Sequence, residues 1–299
     1  MRVVWLSIVL ILAAGLVYSN SFPGTFHFDD YPLLLENPRI VGPSFSYSSF
    51  LDQYAGRPLT MWTFHWTHHF FGANPAGYHW FSVLLHMLVG VELFFLIHQL
   101  FREKLLAFGC SLLFVVHPLQ TQAVNYIWSR SVLLMAVFGL GALLLARKFP
   151  ITALISFQLA IWCRTEAVML FLPLILLNRS FRKAPVAVAG VNAAAFVYSL
   201  VKYAPREMAW NHSDLLGFWI VQPVVFIKYL SLMIWPLGLN VDHDLGPLPW
   251  WALIGAAVVV LALLVQAIRL RERYPVPALG FLWMVATLAP SLLVPNSDV

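Results

Sequence analysis

The chain has 299 residues, of which 61% are hydrophobic and only 10% charged, with 12 tryptophans, a mean hydropathy of +0.79 and a net charge of +5. That is far more apolar side chain than one soluble core buries, so the bilayer must serve as solvent, and a soluble enzyme or a nucleic-acid-binding module is excluded. Cys110 and Cys163 lie in separate apolar stretches, which rules out a disulfide framework or a thiolate metal cluster.

In chain order, "MRVVWLSIVLILAAGLVYSN" has the basic start and apolar run of a secretory signal without a small-x-small cleavage site. It reads as an uncleaved first helix over residues 3–19. Basic residues recur in short breaks: Arg2; Arg102 and Lys104; Arg147 and Lys148; Arg179, Arg182 and Lys183; and Arg269, Arg271 and Arg273. The positive-inside rule makes these breaks cytoplasmic. Most acids fall in the opposite loops, so the chemistry faces outward.

On those anchors a long external loop covers residues 20–78, and helices follow over 79–101, from Leu105 to the "HPLQTQAVNYIWSR" segment, and over 131–146. Two short helices, 149–163 and 166–178, pinch "CRTEA" at the outer side, and another runs over 184–203. The apolar run 218–239 contains Pro223, Pro236 and Lys228. If it crossed fully it would strand "RLRER" outside, so it reads as re-entrant or interfacial. The "WWALIGAAVVVLALLVQAI" helix follows, and a last span covers 275–294. The expectation is one all-α polytopic membrane domain over residues 1–299, with about nine transmembrane helices and a long first extracytoplasmic loop.

Unusual polar residues gather in the outer segments. Asp29 and Asp30 stand side by side in "FHFDDYPLLLENPRI", and adjacent carboxylates raise each other's pKa unless cations or donors answer them. Arg39 and Arg57, His117 and Arg130, Arg164 and Glu166, and Lys228, Tyr229, Asp242, His243 and Asp244 complete the set. Carboxylates with scattered cations on one membrane face suit deprotonation of a nucleophile and neutralisation of a phosphate leaving group. Arginine supplies paired donors and a permanent charge for phosphate.

Each feature also has a plain structural reading. Asp29 and Asp30 could cap a helix over "DDYPLLLE". His65 and His69 have metal-pair spacing, yet with His68 they also fit an interfacial aromatic belt among Trp62, Phe64 and Trp66. Glu92 inside its helix points to pairing with another helix or to a proton relay. Arg164 and Glu166 could pair with each other, and the Asp242-His243-Asp244 run could hold a divalent cation.

Four motifs in order carry a resemblance: "FDDYPLLLENPRI", "GRPLTMWTFHWTHHFFGANPAGYHWFSVLLHMLVG", "HPLQTQAVNYIWSRSVLLMAVFGLGALLLA" and "KYLSLMIWPLGLNVDHD". The chain resembles the membrane domain of the cadherin-targeting transmembrane O-mannosyltransferases and their bacterial relatives, glycosyltransferases of the C-type fold. The resemblance implies a polyprenyl-phosphate sugar donor, an acceptor hydroxyl on a protein or glycan, and no cofactor. It further implies a reaction on the extracytoplasmic side.

By matching, Asp29 is the general base and Asp30 an orienting or acceptor-binding group. Arg57, His117, Arg130, Lys228, Asp242 and His243 become active-site residues. Charge chemistry assigns the donor phosphate to Arg130 and Lys228, with Arg57, and places Tyr229, Arg164 and Glu166 nearby. Where relatives carry an acid, this chain has Gln122, and the family's further C-terminal helices and repeats do not follow "PNSDV". By analogy the expected location is a bacterial inner membrane, with the site facing the periplasm. The rival readings are a transporter or flippase of an anionic lipid and a non-catalytic membrane partner.

Overall fold

The computed structural model describes residues 3–43, 57–178, 183–203, 215–240 and 246–293. It is helical throughout these residues and falls into two compact units, Met1–Val197 and Tyr198–Val299.

In the first unit, α1 (Val3–Val17), α2 (Pro58–Phe71), α3 (Pro75–Phe101), α4 (Lys104–Val116), α5 (Arg130–Leu145), α6 (Pro150–Cys163), α7 (Phe171–Leu177) and the start of α8 (Lys183–Tyr203) follow in order. Short turns fill the gaps, notably Tyr31–Leu35, Pro38–Val41, Thr121–Asn125, Ile127–Ser129 and Thr165–Leu170. Helix α3 packs against α1, α4 and α5, and α5 against α6. The outward faces stay apolar. Leu12 and Leu16 are 65% and 77% exposed, as expected where lipid takes the place of a protein neighbour.

Local chemistry sets the boundaries. Pro58 and Pro75 open α2 and α3 at a position where a missing N–H costs nothing, and the Asn74 side chain accepts from the Ala76 N–H. Arg102 closes α3 in a left-handed conformation. Pro118 ends α4, and the chain turns by 53° into the following helical segment, Pro118–Asn125. The break leaves the Val115 carbonyl without its helical donor, and His86 Nε2–H of α3 donates to it at 3.0 Å.

Five helices are long and apolar enough to cross a membrane: Val3–Ser21, Pro75–Phe101, Ile127–Leu145, Leu216–Ile234 and Trp250–Leu270. The bent pair Lys104–Val116 with Pro118–Asn125 makes six. Pro150–Cys163, Thr165–Leu177 and Pro275–Ala289 are apolar but shorter. Among the described residues five or six helices therefore meet the length and apolarity of a span, fewer than the nine expected.

The loop expected over residues 20–78 is also corrected, since α2 occupies 14 residues of it. Its buried side chains Met61 and Phe64 join Phe26, Leu34, Ile40, Tyr78 and Ile127 in one cluster. Each large apolar side chain fully buried there is worth roughly 1.5–3 kcal/mol, so the outer loop is a packed layer.

In the second unit, α9 (Leu215–Ile234), α10 (Trp250–Leu270) and α11 (Pro275–Leu293) pack on one another. Most of the run expected to re-enter at 218–239 lies in one continuous 20-residue helix, α9, with Pro223 inside it, and this helix is by length and apolarity a candidate span.

Candidate active site

In the first unit Asp29, Asp30 and Arg57 lie between α1 and α2, His117 and Arg130 flank the stretch between α4 and α5, and Arg164 and Glu166 follow α6. Two ties assemble them. Thr60 Oγ1 in the first turn of α2 donates to the Cys163 carbonyl at 3.1 Å, which brings Arg57, just before α2, towards Arg164, just after α6. The second tie runs from the 26–40 loop to residues 126–128.

That second tie separates the two adjacent aspartates. Asp30 is 1% exposed, and both of its oxygens accept backbone donors: Oδ2 from His27 N–H at 3.0 Å and Oδ1 from Trp128 N–H at 2.9 Å. It precedes the Tyr31–Leu35 turn but makes no side-chain cap there, so the capping reading gives way to a cross-link between distant segments. Burial pushes its carboxyl up to about 6, against the opposing pull of the two backbone donors and the nearby His27, with the charge of Asp29 adding a smaller upward push. In this arrangement both carboxylate oxygens of Asp30 are taken up by backbone donors inside the protein.

Asp29 is only partly buried, and its Oδ2 accepts a hydrogen bond from the Tyr126 hydroxyl at 3.0 Å. Phe28, just before it, takes a left-handed φ of 47°, which costs a non-glycine residue roughly 1–3 kcal/mol and reverses the chain over the pair.

A cationic group lies beside the same segment. The Arg57 guanidinium stands 6.0 Å from the Trp128 ring, and its charge bears on Glu166. Arg164 places Nε and Nη2 on one oxygen of Glu166, at 3.0 and 2.7 Å, with both side chains partly exposed. The pairing of Arg164 with Glu166 is thus realised, and with Arg57 the group keeps a net positive charge.

Arg130 departs most from expectation. It is fully buried, with Nη1 donating to Thr67 Oγ1 at 2.8 Å and to the Thr63 carbonyl at 3.3 Å, and Nη2 to the Tyr78 carbonyl at 3.4 Å. Its guanidinium lies 4.2 Å from the Phe64 ring and 4.5 Å from that of Phe81. In this arrangement it offers no surface to a phosphate and acts as the polar bolt joining α2, α3 and α5. His117 marks the bend after α4, where its Nδ1 accepts from the Leu119 N–H at 3.2 Å.

His65 is buried and its Nδ1–H donates to the Ile40 carbonyl at 3.0 Å, which ties α2 to the outer loop. Among the described residues no group of three or more metal-ligating side chains converges. Lys228 and Tyr229 lie on α9 in the second unit, whereas Asp242, His243 and Asp244 fall outside the described residues.

Sequence reading missed Tyr126, Trp128 and the two threonines on Arg130. Tyr126 stood inside a quoted motif, and its polar ring in an outer segment was the signal available. The Trp128 contribution is a backbone N–H, which leaves no mark in the sequence.

No family model matches the chain, and no solved structure matches it. Among curated proteins it is similar to a protein O-mannosyl-transferase of Caenorhabditis elegans, 31% identical over 156 residues covering 47% of this chain and 23% of the relative. It is similar to protein O-mannosyl-transferase TMTC3 of Mus musculus, 32% identical over 149 residues, 46% of this chain and 16% of the relative. Human protein O-mannosyl-transferase TMTC1 is 32% identical over 146 residues, 44% of this chain and 17% of the relative. The matched stretch thus spans a quarter or less of each of these relatives. All three come from animals, so they lend no support to a bacterial inner membrane, while the apolar helices make the chain a multi-pass membrane protein. Over a little under half of its length, the chain is a homologue of protein O-mannosyl-transferases.

Proposed function

We propose that the chain is a membrane glycosyltransferase that moves a sugar from a polyprenyl-phosphate donor to an acceptor hydroxyl, of a protein Ser or Thr, on the extracytoplasmic face. Asp29 takes the proton of the acceptor hydroxyl, the hydroxyl oxygen attacks the anomeric carbon, and the bond from that carbon to the phosphate oxygen breaks. Arg57 and Arg164 neutralise the departing lipid phosphate, a task that the buried Arg130 leaves to them.

The observation that carries this reading is the meeting at residues 126–128 of a partly exposed carboxylate, Asp29, with the Arg57 side of the cationic group. Homology to protein O-mannosyl-transferases supports the reaction class. Asp30 keeps the 26–40 loop against this segment, and Glu166 holds Arg164 in place. The test is consumption of a labelled polyprenyl-phosphate sugar by membranes carrying the chain, with release of free lipid phosphate. Binding without turnover across several sugars and acceptors would favour the non-catalytic partner, and movement of the intact donor across the bilayer the flippase.

A further inference from the structure

Tyr126 is assigned no role by the resemblance or by the charge pattern, yet it touches the group on which the proposed reaction depends. It stands where the Thr121–Asn125 turn ends and the Ile127–Ser129 turn begins. Its N–H donates to the Gln122 carbonyl at 3.3 Å, and its own carbonyl accepts from the Ser129 N–H at 3.0 Å, so the backbone is fixed on both sides. Two residues on, the Trp128 N–H holds Asp30 at 2.9 Å. One short segment therefore grips both carboxylates of the pair, one by a phenol and the other by an amide.

Burial, followed by the hydrogen bond to Asp29 and the charges of Asp29 and Asp30, pushes the Tyr126 phenol above its ordinary value. It therefore keeps its proton and donates it to the hydrogen bond with Asp29. Its hydroxyl lies 3.0 Å from Oδ2 of Asp29. A carboxylate with one oxygen held presents the other in a fixed direction, which is what an in-line proton transfer requires.

We propose that Tyr126 is a positioning residue for Asp29: its hydroxyl fixes one carboxylate oxygen so that the other faces the acceptor hydroxyl. This rests on the reading of Asp29 as the base. In the transfer the acceptor proton goes to the free oxygen of Asp29, the acceptor oxygen bonds to the anomeric carbon, and the lipid phosphate leaves with the electron pair of the broken bond. Tyr126 neither gains nor loses a proton.

The experiment is a double-mutant cycle on the full chain in detergent micelles, with Tyr126→Phe, Asp29→Asn and the pair. Single-turnover rate, donor KM and melting temperature are recorded with a labelled polyprenyl-phosphate sugar. Tyr126→Phe is expected to slow the rate on the order of 10- to 100-fold, with donor KM and melting temperature near wild type. In the Asp29→Asn background the same change is expected to cost less than about twofold, because the group through which it acts is gone.

An undiminished rate in Tyr126→Phe overturns the role, as does an equal loss in both backgrounds. A Tyr126→Phe chain too unstable to assay overturns it in favour of simple packing. An idle wild type overturns the transferase reading itself, and an active Asp29→Asn chain overturns the base assignment, so each failure has its own signature.

Discussion

The Trp128 backbone N–H donates to Asp30 across 98 residues of sequence, at 2.9 Å, and this one bond fastens the first outer loop to the segment between α4 and α5. It also accounts for the two adjacent carboxylates. Asp30 is withdrawn into the protein and answered by backbone donors, while Asp29 is left at the surface with a phenol on one oxygen.

Asp30 gives the chain a pH-dependent stability. Its folded value of about 6 lies above the 3.8 of an unperturbed carboxyl, so between these values the folded state binds more protons than the unfolded one. Stability is therefore full below pH 4 and falls as pH rises to about 6, by up to ~3 kcal/mol. The melting temperature of the wild type in detergent is expected to decline across that window relative to Asp30→Asn. Parallel profiles would remove Asp30 as the cause.

Arg130 is expected to matter for stability and not for donor affinity. Arg130→Met keeps most of the volume but removes the donor to Thr67 Oγ1 and the additional donors to the carbonyls of Thr63 and Tyr78. Losing these buried hydrogen bonds from a charged group costs about 1.5–3 kcal/mol, read as a lower melting temperature. The donor KM of the folded fraction should stay unchanged, and a rise in KM at unaltered stability would return Arg130 to phosphate binding.

Arg57→Gln and Arg164→Gln test the phosphate site from the other side. The first removes a charged group near Trp128 and the second one paired with Glu166, and each is expected to raise the donor KM on the order of tenfold. Steady-state kinetics with varied donor decides. A change confined to folding yield would make these residues structural.

Helix packing offers a test away from the site. A Cβ placed on Gly90 of α3 would run into Val115 Cγ2 of α4, next to the carbonyl that His86 satisfies. Gly90→Ala is therefore expected to cost about 1–3 kcal/mol, and adding Val115→Ala should recover part of that loss. Additive losses in thermal melts would mean that the two helices do not meet there.

The sequence made the long apolar helices plain, because runs such as Pro75–Phe101 leave no alternative to a membrane helix. Helix α2 was hidden by its own aromatic and histidine content, which read as an interfacial loop although Pro58 and Gly72 punctuate both ends. Asp29, Asp30, Arg57, Arg164 and Glu166 stand out as chemically unusual; Asp29, Asp30 and Arg57 lie by residues 126–128, while Arg164 pairs with Glu166. Charge alone could not tell which of them meets solvent. Arg130 looked like a phosphate ligand because its partners, two threonines and a ring of aromatics, come from helices distant in sequence, and Asp30 is answered by backbone groups that any residue carries.

The central claim is that Asp29 is the base of a sugar transfer, and the direct measurement is release of free lipid phosphate from a labelled polyprenyl-phosphate sugar by wild-type and Asp29→Asn membranes. The substitution keeps size and removes the base. The expected result is release by the wild type and a loss of at least ~100-fold in the variant. Equal release by both would contradict the claim.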